Sequence, residues 1–220
     1  TGVANLTVRG AYRVLVEEGL VEPVAKKGFY VRRPNVMAWR MSVGTTGRRG
    51  GTRPLGGWWA ADAEAAGLAH REEISVGIED SSAPVLGRPA GERLGLEAGS
   101  RVLVRRVVRL LGPVGGQPEM PESLADAYFP YDLVRDTALA SPGAADAEEA
   151  LAGIGCPLRG FEDELRPRLA TTADRQMLGL PQVSVVLELA RTGFTDGRRP
   201  VAVSHQVLRG DGAVYTYQIG

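Results

Sequence analysis

The triplet Leu-Gly-Leu occurs twice, as Leu94-Gly95-Leu96 and Leu178-Gly179-Leu180, 84 residues apart. Each copy closes a polar, helix-like run that begins near Ala90 or Ala173. Each then leads into an apolar run, Val102-Leu103-Val104 or Val185-Val186-Leu187, followed by a Gly-bearing turn and a second apolar run. Two copies are too few for a solenoid, whose units are stable only when stacked in longer arrays. They fit a helix-plus-hairpin unit used twice around one antiparallel sheet, which sets the fold class as α+β. Tyr128-Phe129-Pro130 ends the first hairpin, and Arg209-Gly210-Asp211 interrupts the second.

Composition limits what such a sheet can serve. With 220 residues, 44% of them hydrophobic and 24% charged, the chain buries an ordinary core. No run approaches the ~18 consecutive apolar residues of a membrane span, so the expectation is a cytoplasmic protein with no membrane partner. A single cysteine, Cys156, permits no internal disulfide, and His70 and His205 alone make no metal cluster, so neither metal nor cofactor is expected. Asn5-Leu6-Thr7 matches a glycosylation sequon in a chain where nothing else points to secretion. The formal charge is zero, yet residues 1–33 carry six basic side chains against Glu17, Glu18 and Glu22. The rest of the chain offsets that excess, so a basic head sits on a mildly acidic body.

In that head, Val8, Ala11, Tyr12, Leu15 and Val16 recur at helical spacing and predict an amphipathic helix from about residue 5 to 18, ended by Gly19. Arg9 and Arg13 lie on the other side. Leu20–Val24 and Phe29–Arg32 read as two short strands, joined by Ala25-Lys26-Lys27-Gly28. Composition alone leaves a solvated helix face and a lysine-tipped hairpin as the alternative to a DNA reader. The unbroken order helix, corner, strand, basic turn and strand resembles the winged helix of GntR-family transcription regulators. The matching residues are Gly2-Val3, Thr7-Val8-Arg9, Ala11, Leu15, Gly19-Leu20-Val21 and Gly28-Phe29-Tyr30-Val31. Ala4, Asn5 and Gly10 depart from the family pattern at positions that face DNA in the family. The resemblance implies DNA contacts from Asn5, Thr7, Arg9, Arg13, Lys26 and Lys27. It also implies two further helices ahead of this one, so that residues 1–33 are expected to be the C-terminal part of a winged helix.

Residues 34–57 interleave six glycines with Arg48, Arg49 and Arg53 and read as a Gly/Arg-rich linker, most simply a solvated tether. Trp58-Trp59 marks the return of order, because an exposed pair of indoles is unfavourable. From residue 58 to 220 the two Leu-Gly-Leu units, Tyr-Phe-Pro, Asp-Gly-Arg-Arg-Pro-Val and Arg-Gly-Asp together resemble the UTRA effector domain. With the winged helix, this points to the HutC subfamily of GntR regulators. The resemblance implies a chorismate-lyase-like fold around a small effector, often phosphorylated or otherwise anionic.

Such an effector needs cations of fixed geometry, which favours Arg. On the first repeat's strand, alternation sets Arg106 with Val104 and Val108, and Arg105 and Arg109 with Leu103 and Val107. Arg106 is the first candidate, although the strand alone does not decide which side is the pocket. Arg109, Asp126, Tyr128, Arg168, Ser204, His205 and Tyr215 complete the expected effector site; Ala127 stands where the family often has Ser. Structural ion pairing is the competing reading for the arginines, and packing for the tyrosines.

These features lead to a ligand-responsive DNA-binding regulator, a repressor, acting as a homodimer on palindromic half-sites. The rival is an enzyme of chorismate-lyase-like fold acting on a small carboxylate. No Gly-x-Ser-x-Gly elbow and no His-carboxylate spacing favours it.

Overall fold

The computed structural model describes residues 5–18, 20–24, 28–31, 37–41, 57–114, 119–143, 145–211 and 213–217. Helix α1 (Asn5–Glu17) leads into an antiparallel hairpin of β1 (Val21–Val24) and β2 (Gly28–Val31), with Val21 opposite Val31. Tyr12 of the apolar stripe stacks on Phe29, ring centroids 4.3 Å apart and planes 13° from parallel. That contact fastens helix to hairpin. Leu15 and Val16 are half-buried, whereas Val8 remains 40% exposed. The hairpin tip with Lys26 and Lys27 lies outside the described residues.

The rest of the chain runs β3 (Met37–Arg40), α2 (Gly57–Ala65), β4 (Leu68–Asp80), β5 (Pro84–Val85), β6 (Arg88–Pro89) and α3 (Ala90–Arg93). It continues through β7 (Arg101–Pro113), β8 (Met120–Pro130), α4 (Tyr131–Val134), α5 (Ala147–Gly153), β9 (Gly160–Leu169) and α6 (Thr172–Leu178). The last strands are β10 (Val185–Phe194), β11 (Pro200–Arg209) and β12 (Ala213–Thr216).

Six strands form one antiparallel sheet in the order β4-β7-β8-β11-β10-β9. From its centre outward the two halves correspond, β8 to β11, β7 to β10 and β4 to β9, as the repeated Leu-Gly-Leu unit requires. The two middle glycines turn the chain alike, Gly95 with φ 65° and Gly179 with φ 60°. A side chain there would meet the left-handed backbone penalty, so glycine lets each short helix stop and its strand begin. In the second copy, Thr171 and Asp174 also close a reciprocal capping box on α6.

Alternation gives the sheet two covered faces. Leu103, Phe129, Leu139, Leu151 and Ala202 pack at one end of the first face, and Trp39, Met41, Trp59, Leu111, Leu189 and Leu208 at the other. On the opposite face α3 and the β5-β6 hairpin cover Val102, Val104, Tyr128 and Val203, and α6 covers Val186 and Val207. The fold is the expected α+β arrangement around an antiparallel sheet.

One boundary differs from the sequence reading. Residues 37–41 are not linker: Met37, Trp39 and Met41 are 9%, 1% and 1% exposed, and β3 pairs in parallel with β12 from the other end of the chain. Four alternating residues beside a glycine-rich stretch give too short a period to recognise, and the partner strand is remote. The glycines from 44 to 57 therefore join β3 to α2, both of which pack in the same core cluster. The segment between the wing and the first strand docked on the sheet is residues 32–36.

Candidate functional site

On the first face, between the two apolar clusters, lies a cavity of about 700 Å³, within the usual range for small-molecule sites. Its floor is Ile74 of β4, Val107 of β7 and Ala125, Ala127 and Phe129 of β8; Trp59 and Ala60 of α2 form one wall and residues 142–147 the other. Small side chains at 125 and 127 leave the space open over the strands. Arg71, Arg105 and Arg109 face it against Glu72 and Asp146.

Arg105 is the distinctive group. It is 5% exposed, and its guanidinium donates to three backbone carbonyls, Nη1 to Leu139 at 2.7 Å and Ser141 at 2.8 Å, and Nη2 to Gly143 at 2.6 Å. No carboxylate among the described residues pairs with it. Burial works against its charge, with the field of Glu72 as the opposing influence, and an arginine stays protonated under such pressure. The result, among the described residues, is a buried cation whose hydrogen-bond partners are neutral dipoles and whose Nε–H is in no hydrogen bond. An anion entering the cavity would find an uncompensated charge and a directed donor. Arg109, 3% exposed, donates Nε to Glu72 at 3.0 Å and Nη1 to Gln206 at 3.3 Å, and lies over the Trp59 ring at 5.8 Å. Ser204, in register with Ala127, adds a buried hydroxyl at the same floor.

Of the residues expected to hold an effector, Arg109 and Ser204 line this cavity. Arg106, Asp126, Tyr128 and His205 do not, since each is one residue out of phase and points to the opposite face, as strand pleating requires. There Arg106 pairs with Glu79 and lies 3.8 Å from Asp126, and the Tyr128 hydroxyl donates to Asp126 at 3.4 Å. His205 Nε2 is 3.3 Å from Glu188; burial lowers its pKa, with Glu188 opposing. Burial likewise raises the Asp126 carboxyl above its ordinary range against the pull of Arg106. Arg168 joins the same face, at 2.5 Å from Asp174 and 2.9 Å from Glu188, so the helix cap of α6 and the sheet account for its charge. Tyr215 packs against the β3 cluster and donates its hydroxyl to the Arg209 carbonyl at 2.8 Å, away from the cavity. Sequence reasoning left Arg105 undecided and missed Glu72, the α2 wall as such, and the carbonyls of residues 139–143. The alternating alanines 125 and 127 are the signal that identifies the open side.

On α1, Thr7, Arg9 and Arg13 are exposed, with Arg13 held by Glu17 at 2.9 Å. The side chain of Asn5 lies outside the described residues.

A helix-and-hairpin unit ahead of a sheet with a cation-lined cavity defines a two-part, ligand-binding protein. The UTRA domain model matches residues 88–213, more than half of the chain, and the chain belongs to that family. A search of curated proteins finds no match. Among solved structures, the chain is similar over 100% of its length and 83% of the other chain to one described as a GntR-family transcriptional regulator, at 25% identity and TM-score 0.65. PhnF from Mycobacterium smegmatis shares the fold over 99% of this chain and 86% of its own, at 19% identity and TM-score 0.61. The ligand-binding domain of a GntR-family regulator from Bordetella bronchiseptica covers 70% of this chain and 96% of its own, at 22% identity and TM-score 0.52. Family and full-length likeness together make the chain a transcription regulator of the GntR/UTRA type with an effector domain. No helix among the described residues is long and apolar enough to cross a membrane.

Proposed function

We propose that this protein is a non-enzymatic, cytoplasmic repressor of the HutC type that binds operator DNA through α1 and its hairpin and is controlled by a small anion held at Arg105. The observation that carries the effector half is the buried Arg105 guanidinium, without a carboxylate partner among the described residues, beside a 700 Å³ cavity. Arg109 lies four residues along the same strand face, about 13 Å away at ordinary strand rise, with apolar floor between. A ligand with one anionic end and an uncharged body suits that layout. Arg9 and Arg13 on the exposed side of α1 supply the charge and donors a major groove accepts, and a homodimer would present two such helices to two half-sites. Calorimetric titration with a panel of small phosphates and carboxylates tests the pocket: the parent should bind at least one, and Arg105→Ala should bind it about 10- to 150-fold more weakly. Binding of parental strength in Arg105→Ala would remove this reading. For the DNA half, Arg9→Ala should weaken operator binding by about 1–3 kcal/mol and relax preference at one base.

A further inference from the structure

Resting on that pocket reading, the geometry points to Asp62 of α2 as a positioning residue that ties the strand leading out of the wing to the wall of the cavity. Within one turn of α2, Trp59 and Ala60 line the cavity, while Asp62 and Ala63 hold β3. Asp62 is 4% exposed and accepts the Arg40 backbone N–H and Nε–H, each at 2.9 Å, as well as pairing with Nη2. Only the Asp62 end of this pair is buried, so the loss of an Arg40 donor leaves a carboxylate short of hydrogen bonds away from water, and Trp59 and Ala63 of α2 pack in one cluster with Met37, Trp39 and Met41, which joins α2 to β3. A second tie secures the same strand end. Arg191 of β10 donates to the Met41 carbonyl at 2.8 Å and to both Asp163 oxygens at 2.7 Å, and it sits in register with the cavity residue Ser204.

Upstream of β3, residues 32–36 alone separate it from β2, a stretch that spans at most about 20 Å. The position of β3 therefore limits where the wing and α1 can be. An anion seated between Arg105 and the α2 wall biases α2, and through the Asp62–Arg40 clamp it biases the strand next to the wing. The Gly/Arg-rich segment does not intervene, because it follows β3 in the chain.

The test uses the full chain with inorganic phosphate as the probe, calorimetry for binding, and hydrogen exchange read separately over residues 57–65 and 37–41. The quantity compared is the ratio of exchange rates with and without phosphate, which a merely loosened strand would not alter. In the parent, phosphate should slow both segments by about fivefold, the low end of ordinary coupling energies. Asp62→Asn and Arg40→Ala should bind phosphate within about twofold of the parent and keep the response at 57–65, while the response at 37–41 weakens, the Arg40 backbone N–H and the Arg191–Met41 bond still holding the strand. Arg40, whose side chain is 56% exposed, supplies the variant that folds if the buried Asp62 change does not. Should both segments of Arg40→Ala respond as in the parent, the clamp is not the coupling and the proposal is overturned with the pocket intact. If the parent gives no heat with phosphate or any other member of the anion panel, or Arg105→Ala binds phosphate as tightly as the parent, the pocket reading fails and the coupling falls with it.

Discussion

Arg105 and Arg106 are neighbours in the chain and opposites in the fold. Arg106 is half-exposed on its face, where Glu79 and Asp126 neutralise it. Arg105, one residue away, is buried against three neutral carbonyls beside a cavity. Both faces of the sheet carry ion pairs, Arg109–Glu72 and Arg191–Asp163 among them on the cavity side, but at Arg105 the cavity side keeps a charge available. Availability rather than number of arginines marks the binding side, and a structure in which each buried cation met a carboxylate would carry no such signal.

The sharpest way to break this contrast is Arg105→Ala. It should lower anion affinity by about 10- to 150-fold, the worth of a hydrogen bond to a charged group, and destabilise the fold by about 1–3 kcal/mol because the Leu139 carbonyl is left buried without a donor. Titration and chemical denaturation read both effects. Unchanged affinity would place the ligand elsewhere.

The next effect is pH-dependent and belongs to the pocket side. Glu122 of β8 accepts a bond connected with Trp39 of β3, and burial pushes its carboxyl up to about 7. Because the folded value exceeds the unfolded one, its contribution is fully present below about pH 4.5 and is lost progressively as pH rises from there to about 7, a fall of roughly 3 kcal/mol. Glu122→Gln should flatten stability over that window and leave the protein more stable than the parent at pH 8. A parent whose denaturation midpoint did not fall across this range would show that Glu122 ionises freely.

On the opposite face the changes shrink. Arg168→Ala should cost about 1–2 kcal/mol, since Asp174 keeps Thr171 and Glu188 keeps Arg166, and anion affinity should not change. Arg106→Ala should be smaller still, within about 0.5–1 kcal/mol in stability and with no effect on anion binding. A loss of binding in Arg106→Ala would invert the assignment of faces.

How much of this was legible in the sequence differs by region. The helix and hairpin of residues 5–31 are local structures, whose periodicity and turn residues lie within a few positions of each other, and both formed near the expected boundaries. The doubled Leu-Gly-Leu unit likewise announced a sheet with corresponding halves, because a glycine at positive φ and a following strand are local events. β3 escaped notice since its alternation is four residues long and its partner, β12, begins at Ala213.

Sequence by itself determined the outline: a basic helix and hairpin ahead of a repeated helix-hairpin unit, with arginines on a strand at alternating positions. It determined that Arg105 and Arg106 must face opposite ways, because a strand has a period of two. Only the tertiary structure decided which of the two faces the cavity, since that depends on which side α2 and residues 139–147 cover and on the register of β7 against β8. Those are contacts between segments tens of residues apart, and no local pattern encodes the side on which a distant element comes to rest.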